Sequence, residues 1–237
     1  MAKVTAIVSA YYAEKFLEGR LDNLLAQSEK PEIIVVCQDG STEHEIAKAK
    51  DVTLILAEGI PTLYEAWNIA IKAANGNYIT SANTDDRLYP KALEKLAKAL
   101  DDNKDCALAY ADVDIVRQID GAPVQTFRWG EGGLADLLNG CFIGPMPMWR
   151  KSLHDKHGYF LEKETLLNGE EYKYQVTSDY EFWMRLAKGG EKFYHIKQVL
   201  GAYLRHENNL EHRHSLRSVW ENGRVKALYR KEFEPIP

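Results

Sequence analysis

Apolar positions in the first half of the chain switch between two periods. Val4–Ser9, Glu32–Cys37, Val52–Ala57, Asn77–Ala82 and Cys106–Val116 read as strands, and the apolar run of Glu32–Cys37 is what a strand covered on both faces should show. Between them the period lengthens to that of a helix. Glu14–Gln27 places Phe16, Leu17, Leu21, Leu24 and Leu25 on one face. Ser41 and Thr42 cap a short helix through Ala49. Pro61 opens a helix from Thr62 to Ala74 that Asn75 and Gly76 end, and Pro90 starts another that reaches Leu100. Strand and helix in alternation predict an α/β fold with a mostly parallel central sheet, flanking helices and right-handed crossovers. In such sheets ligands sit at the carboxyl ends of the strands. Those ends carry Ser9, Asp39 and the stretch Asn83 to Asp86.

Beyond residue 120 the pattern loosens. Trp129–Gly133 reads as a loop and Ala135–Leu138 as a short helix. Cys141–Trp149 is apolar but broken by Pro145 and Pro147, which argues against a central strand. Residues 161–177 are polar and read as a mobile segment, a candidate lid. Asp179–Lys188 and Ser215–Tyr229 read as helices. The expected organisation is one domain, with residues 1–120 as a nucleotide-binding half and 121–237 as a smaller, irregular acceptor-side half.

Composition narrows the classes. The chain has 237 residues, 45% hydrophobic and 27% charged, with a net charge of −5. That suits a folded domain and gives no global sign of nucleic-acid binding. No stretch approaches the about 20 apolar residues that span a bilayer. The N-terminal run reads as a buried first strand rather than a signal peptide. Three widely spaced cysteines, Cys37, Cys106 and Cys141, fit a reducing cytoplasm.

Three segments could carry chemistry. The strand Asn77–Ala82 ends in Asn83, Thr84, Asp85 and Asp86. Carboxylates there suit Mg²⁺ or Mn²⁺, and suit equally a solvated turn before a helix. Asp39 either accepts a hydrogen bond from a nucleobase or ribose, or binds the N–H groups of its own turn. Asp179, near the start of a helix, is a plain cap or a fixed base at the mouth of a cleft. Two further groups stand apart. Asp112 and Asp114 share one face of a strand, and Trp149 offers either a stacking surface for an acceptor sugar or a core side chain.

Taken in order, these segments resemble the family 2 glycosyltransferases of the GT-A (Rossmann-like) fold. The resemblance runs over residues 4–210. It is carried by the first strand and helix to Gln27, the Gln38–Thr42 turn, Trp67–Ile79 leading into Asn83–Asp86, the segment from Trp149 to Phe160, and the helix from Ser178 to Leu186. It implies an inverting transfer of sugar from a nucleoside-diphosphate sugar, UDP foremost, to a glycan or lipid-linked acceptor, aided by a divalent cation (Mn²⁺ or Mg²⁺). By the same resemblance Ser9, Tyr11, Asp39, Asn83 and Asp86 would meet the donor, and Asp85 the metal. His206 would lie near the metal or diphosphate, and Asp179 would be the general base. The chain departs from the family pattern at Asn83, where Asp is usual, and at Tyr11, Gln38 and Ser178. A nucleotidyltransferase would need a glycine-rich basic loop where this chain has Ser9 to Ala13. A silent sugar-binding module is the other rival, raised by Asn83. The last helix carries Arg224, Lys226, Arg230 and Lys231. They form either a solvated face or a peripheral contact with the inner face of a membrane.

Overall fold

The computed structural model describes residues 3–119, 121–166 and 168–230. The apolar runs become the strands β1 (Val4–Ala10), β2 (Glu32–Gln38), β3 (Thr53–Ala57) and β4 (Tyr78–Ser81), joined by α1 (Leu17–Leu25), α2 (Thr42–Lys48) and α3 (Leu63–Ala73). Ser41 caps α2, and Thr62 with Glu65 forms a reciprocal capping box on α3. The chain continues through β5 (Arg87–Leu88), α4 (Ala92–Asp102), β6 (Cys106–Val116), β7 (Gln125–Phe127), α5 (Leu134–Leu137), β8 (Met148–Arg150) and α6 (Leu153–His157). It closes with β9 (Lys163–Thr165), β10 (Glu171–Lys173), α7 (Ser178–Lys188), β11 (Lys192–Leu204), α8 (Leu210–Arg213) and α9 (Ser215–Arg230).

One nine-stranded mixed sheet runs in the order β3-β2-β1-β4-β8-β6-β11-β5, with β7 on the far end of β6. β1, β2, β3 and β4 are mutually parallel, as are β6 and β11. Alternate residues of β1 face opposite layers. Val4, Ala6 and Val8 pack with α1 and α4. Ile7 belongs to the cluster of the opposite layer, which includes Tyr64, Trp67 and Ile71 of α3 and Phe182 and Trp183 of α7. Among the described residues no helix is long and apolar enough to cross a membrane.

Three expectations change. β8 is a central strand, antiparallel to both β4 and β6. Pro147 does not prevent this because it precedes the strand, where its carbonyl accepts from Thr80 Oγ1 at 2.8 Å. The segment 161–177, expected to be irregular, contains regular structure. β9 and β10 form an antiparallel hairpin, tied down by Tyr174 Oη to Glu164 (3.0 Å), Lys173 to Glu65 (2.9 Å) and Asn68 Nδ2 to Glu162 (2.8 Å). The long strand β11, which the sequence pattern did not announce, carries the second half of the chain into the central sheet.

Candidate active site

Parallel pairing sets the carboxyl ends of β1, β2 and β4 side by side, with Ser9 opposite Val36 and Ile7 opposite Ser81. Past β1 the chain turns sharply at Tyr12, whose φ of 54° is left-handed and strained for a bulky side chain. Glu43 of α2 holds this turn by accepting from the Ala13 N–H at 2.7 Å. Tyr11 is half-buried, and its Oη is buried with no partner among the described residues. Burial pushes its pKa up to about 12, so it stays a phenol with a proton to give. Asp39 follows β2 with its side chain 77% exposed and His44 Nδ1 at 3.1 Å.

The acidic turn after β4 is built by a contact from the other end of the chain. β5 pairs with β11 at Gly201 and Ala202. Gly201 is required there, since a Cβ would lie 2.6 Å from the Arg87 carbonyl oxygen. That pairing carries residues 204–209 over the acids. Asp85 Oδ2 accepts from Asn209 Nδ2 at 3.1 Å and lies 3.0 Å from His206 Nε2. The His206 ring is set against Phe16, centroid to centroid 5.4 Å. Asp86, expected to meet the donor, is corrected: it is fully buried, with Oδ1 accepting from the Leu204 N–H (3.3 Å) and Oδ2 from Asn83 Nδ2 (3.4 Å), and presents no surface to a ligand. Burial and the adjacent Asp85 charge push Asp86 well above the usual carboxylate range, and the Arg20 guanidinium pulls it back. Arg20 is itself fully buried, with Nε and Nη2 unpartnered among the described residues.

Asp179 sits in the first turn of α7, where Oδ1 accepts from its neighbour's N–H at 2.8 Å and from Tyr64 Oη at 3.1 Å. Burial and the Asp179 charge raise the Tyr64 pKa well above its ordinary value, so Tyr64 remains the donor. The approach to α7 rests on Glu221 of α9. Its carboxylate accepts from the N–H groups of Gln175, Val176 and Thr177.

Contacts therefore unite Asn83, Asp85, Asp86 and His206, while Ser9, Tyr11 and Asp39 lie along the neighbouring strand ends. Asp179, on α7, is bonded to Tyr64 of α3. Trp149 is corrected. It is fully buried and donates from Nε1 to His154 Nε2 at 2.8 Å, so it presents no face to an acceptor. Asp112 and Asp114 are used internally. Asp112 meets His195 Nε2 at 2.8 Å, and Asp114 accepts from Tyr89 Oη at 2.7 Å. Tyr64, Arg20, Glu43, Asn209 and Glu221 escaped the sequence reading. Lys231 lies outside the described residues.

Among the described residues no three His, Cys, Asp or Glu side chains gather to hold a metal by themselves. Asp85 Oδ2 and His206 Nε2 lie 3.0 Å apart, in contact with each other, so one oxygen and one nitrogen stand side by side at the end of β4. This donor set fits a Mg²⁺ or Mn²⁺ ion that takes its remaining ligands from substrate phosphates and water.

The sequence model of Glycosyl transferase family 2 matches residues 5–160. An uncharacterised glycosyltransferase of Haemophilus influenzae is 23% identical over 79% of this chain and 61% of its own length. The hyaluronan synthase of Pasteurella multocida is 22% identical over 87% of this chain and 21% of its own. Among solved structures, Staphylococcus aureus TarS 1–349 in complex with UDP superposes with a TM-score of 0.70 at 17% identity, over 96% of this chain and 65% of that one. The mannosyltransferase PcManGT of Pyrobaculum calidifontis, in complex with GDP-Man and Mn²⁺, gives 0.65 at 18%, over 99% and 66%. The chain thus spans less than two thirds of each of these proteins. The structural likeness establishes the expected GT-A fold. With a family match that covers well over half of its residues, the chain belongs to glycosyl transferase family 2.

Proposed function

We propose that this chain is an inverting glycosyltransferase that moves a sugar from a nucleoside-diphosphate sugar to a hydroxyl of a glycan or lipid-linked acceptor. UDP is the proposed nucleotide. The observation that carries the reading is the joining of Asp85 to His206 and Asn209 at the end of β4, beside the ends of β1 and β2. The TarS complexes with UDP and UDP-GlcNAc support UDP, and the PcManGT complex makes GDP the alternative to test.

In this reading Ser9, Tyr11 and Asp39 receive the nucleoside. The Tyr11 Oη proton finds its missing acceptor on the ligand. Asn83 adds uncharged donors where a carboxylate would repel the diphosphate. Asp85 and His206 would hold the divalent cation, which supplies neutralisation of the charge that grows on the departing diphosphate. Asp86, buried beside Arg20, shapes the turn that presents Asp85. Asp179, steadied by Tyr64, takes the proton from the acceptor hydroxyl. That oxygen forms the new bond to the anomeric carbon as the bond to the diphosphate breaks from the opposite face, with the electron pair leaving on the diphosphate. A positioned base of this kind is worth about 10²–10⁴ in rate. The setting we propose is the cytoplasm, with the acceptor met at the inner face of a membrane.

The test is calorimetric titration of UDP, GDP and dTDP, each with Mn²⁺ and with EDTA, on the wild type and Asp85→Ala. One nucleotide should bind tightly, and only with both metal and Asp85 present. If no nucleotide binds under any condition, the chain is a silent module and the reading fails.

A further inference from the structure

Helix α9 has two apolar faces. Val225 and Tyr229, in line with Glu221, are buried against the body of the protein. At 3.6 residues per turn, Leu216, Val219, Trp220, Gly223 and Ala227 fall on the opposite side. There Leu216 is 87% exposed and Val219 73%, while Trp220, at the margin, is 42% exposed with its ring against Tyr172, centroids 4.5 Å apart, and Arg224 over it. A helix that rests on the core by one stripe needs polar residues on the other. Cations flank this second stripe on both sides. Arg217 and Arg224 lie along one edge, and Lys226 and Arg230 along the other. Arg224 shares its charge with Glu164, and Lys226 donates to the Asn139 carbonyl at 3.0 Å. The sole acid of α9, Glu221, is fully buried on the far face. The outward surface of α9 is therefore apolar and cationic, on a chain whose net charge is −5.

We propose that this face of α9 docks on an anionic lipid surface. The helix lies in the plane of the interface, with Leu216, Val219 and Trp220 at the headgroup boundary and the flanking cations among anionic headgroups. A second copy of the chain is a poor occupant. A two-fold pairing along this stripe sets cationic edges against one another, and like charges across an interface are costly. A polyanion without an apolar phase would leave Leu216 and Val219 in water. The opposite face of the same helix holds residues 175–177, the approach to Asp179. Docking would thus bring the base side of the site to the lipid, where a lipid-linked acceptor presents its hydroxyl. That consequence rests on the glycosyltransferase reading, whereas the docking itself does not.

Co-sedimentation with vesicles tests it. We expect binding to phosphatidylcholine vesicles that contain phosphatidylglycerol, loss of binding as salt is raised, and no binding to phosphatidylcholine alone. The double variant Leu216→Ser, Val219→Ser should bind at least about tenfold more weakly. Arg217→Gln should lose about fivefold, the share of one cation near an anionic surface. Both positions of the double variant are exposed, so its nucleotide affinity should match the wild type. Wild-type protein that ignores both vesicles, a double variant that binds as well as wild type, or a stripe-dependent dimer in sedimentation velocity would each overturn the proposal. Vesicle binding without nucleotide binding would sink the donor reading alone. Nucleotide binding without vesicle binding would sink the docking alone.

Discussion

Replacing Glu221 probes how the proposed general base, Asp179, is positioned. The side chain is fully buried. Oε1 accepts from Tyr172 Oη at 2.8 Å and from the Gln175 N–H at 3.0 Å. Oε2 accepts from the Val176 and Thr177 N–H groups, both at 2.9 Å, and from Thr177 Oγ1 at 3.2 Å. In Glu221→Ala the two hydroxyls can turn elsewhere, but the Val176 and Thr177 N–H groups stay buried without acceptors. Each stranded donor costs about 1–3 kcal/mol, so the expected loss is about 3–5 kcal/mol. A typical domain has about 5–15 kcal/mol of stability, so the variant should still fold. Its melting temperature should drop by about 10 °C for a chain of this size. Thr177 immediately precedes α7, and Asp179 lies in its first turn. Loosening that approach should lower kcat by about tenfold or more, because small errors in placing a base are costly. Nucleotide affinity should not change, since Ser9, Asp39 and Asp85 stand on other elements. Thermal unfolding, steady-state transfer and nucleotide calorimetry on the same samples check the three claims. An unchanged melting temperature would refute the hydrogen-bond argument. A kcat that survives full destabilisation would refute the positioning argument.

Two further outcomes follow from the geometry. Tyr64→Phe removes the 3.1 Å bond to Asp179 and should lower kcat by about tenfold with nucleotide affinity intact, because bonds to charged acceptors are worth about 1.5–3 kcal/mol; equal kcat in single-turnover assays counts against it. His154 is buried, accepts from Trp149 Nε1 and lies with Nδ1 3.0 Å from the Gly158 carbonyl, and burial pushes its pKa down to about 4. Its folded value lies below the unfolded value near 6.5, so the unfolded chain takes up the extra proton first. Stability should fall by about 3 kcal/mol as pH drops from about 6.5 to about 4, and His154→Asn should flatten that dependence; parallel melting curves for the two proteins would refute the assignment.

Four of the strands that sequence reading found share one property. β1, β2, β4 and β6 are covered on both faces, so their apolar residues are not confined to alternate positions, whereas the edge strand β3 is half-exposed and is found from its short apolar run alone. β11 escaped because it is amphipathic and irregular. Its first half carries Lys192, His195, Lys197 and Gln198, and register shifts between Ile196 and Gly201 break any period of two. β8 escaped because its three residues are too few to show a period and stand directly behind a proline. β9 and β10 are charged and exposed at alternate positions, and their pairing is set by tertiary ties to Glu65, Asn68 and Arg224. None of these is a propensity error. In each case long-range contact outweighed the local pattern.

The same distinction divides the site. Asp39, Asp85 and Asp179 could be singled out because each stands at the end of an element, where a carboxylate has no packing role. The residues that orient them stand inside elements, and their mark is phase rather than type. Arg20 falls on the buried stripe of α1 with Leu17, Leu21 and Leu24. Asn68 falls on that of α3 with Tyr64 and Ile71, and Glu221 on that of α9 with Val225 and Tyr229. A charged or amide side chain at an apolar phase must be met by partners from another segment, or its burial would cost more than the fold can bear. For Asn68 the partners are both backbone groups of Phe160. For Glu221 they are the N–H groups just before α7. Arg20 is the unfinished case. Among the described residues it has one bond, to Asn23 at 3.0 Å, two buried nitrogens without partners, and the charges of Asp86 and Asp85 nearby. The neighbouring Asp86 and Asp85 offset part of what burial costs Arg20, and its guanidinium offsets part of what burial costs Asp86. The acidic turn and the helix beneath it are therefore one electrostatic unit, and the turn that presents Asp85 is held as much by α1 as by β4.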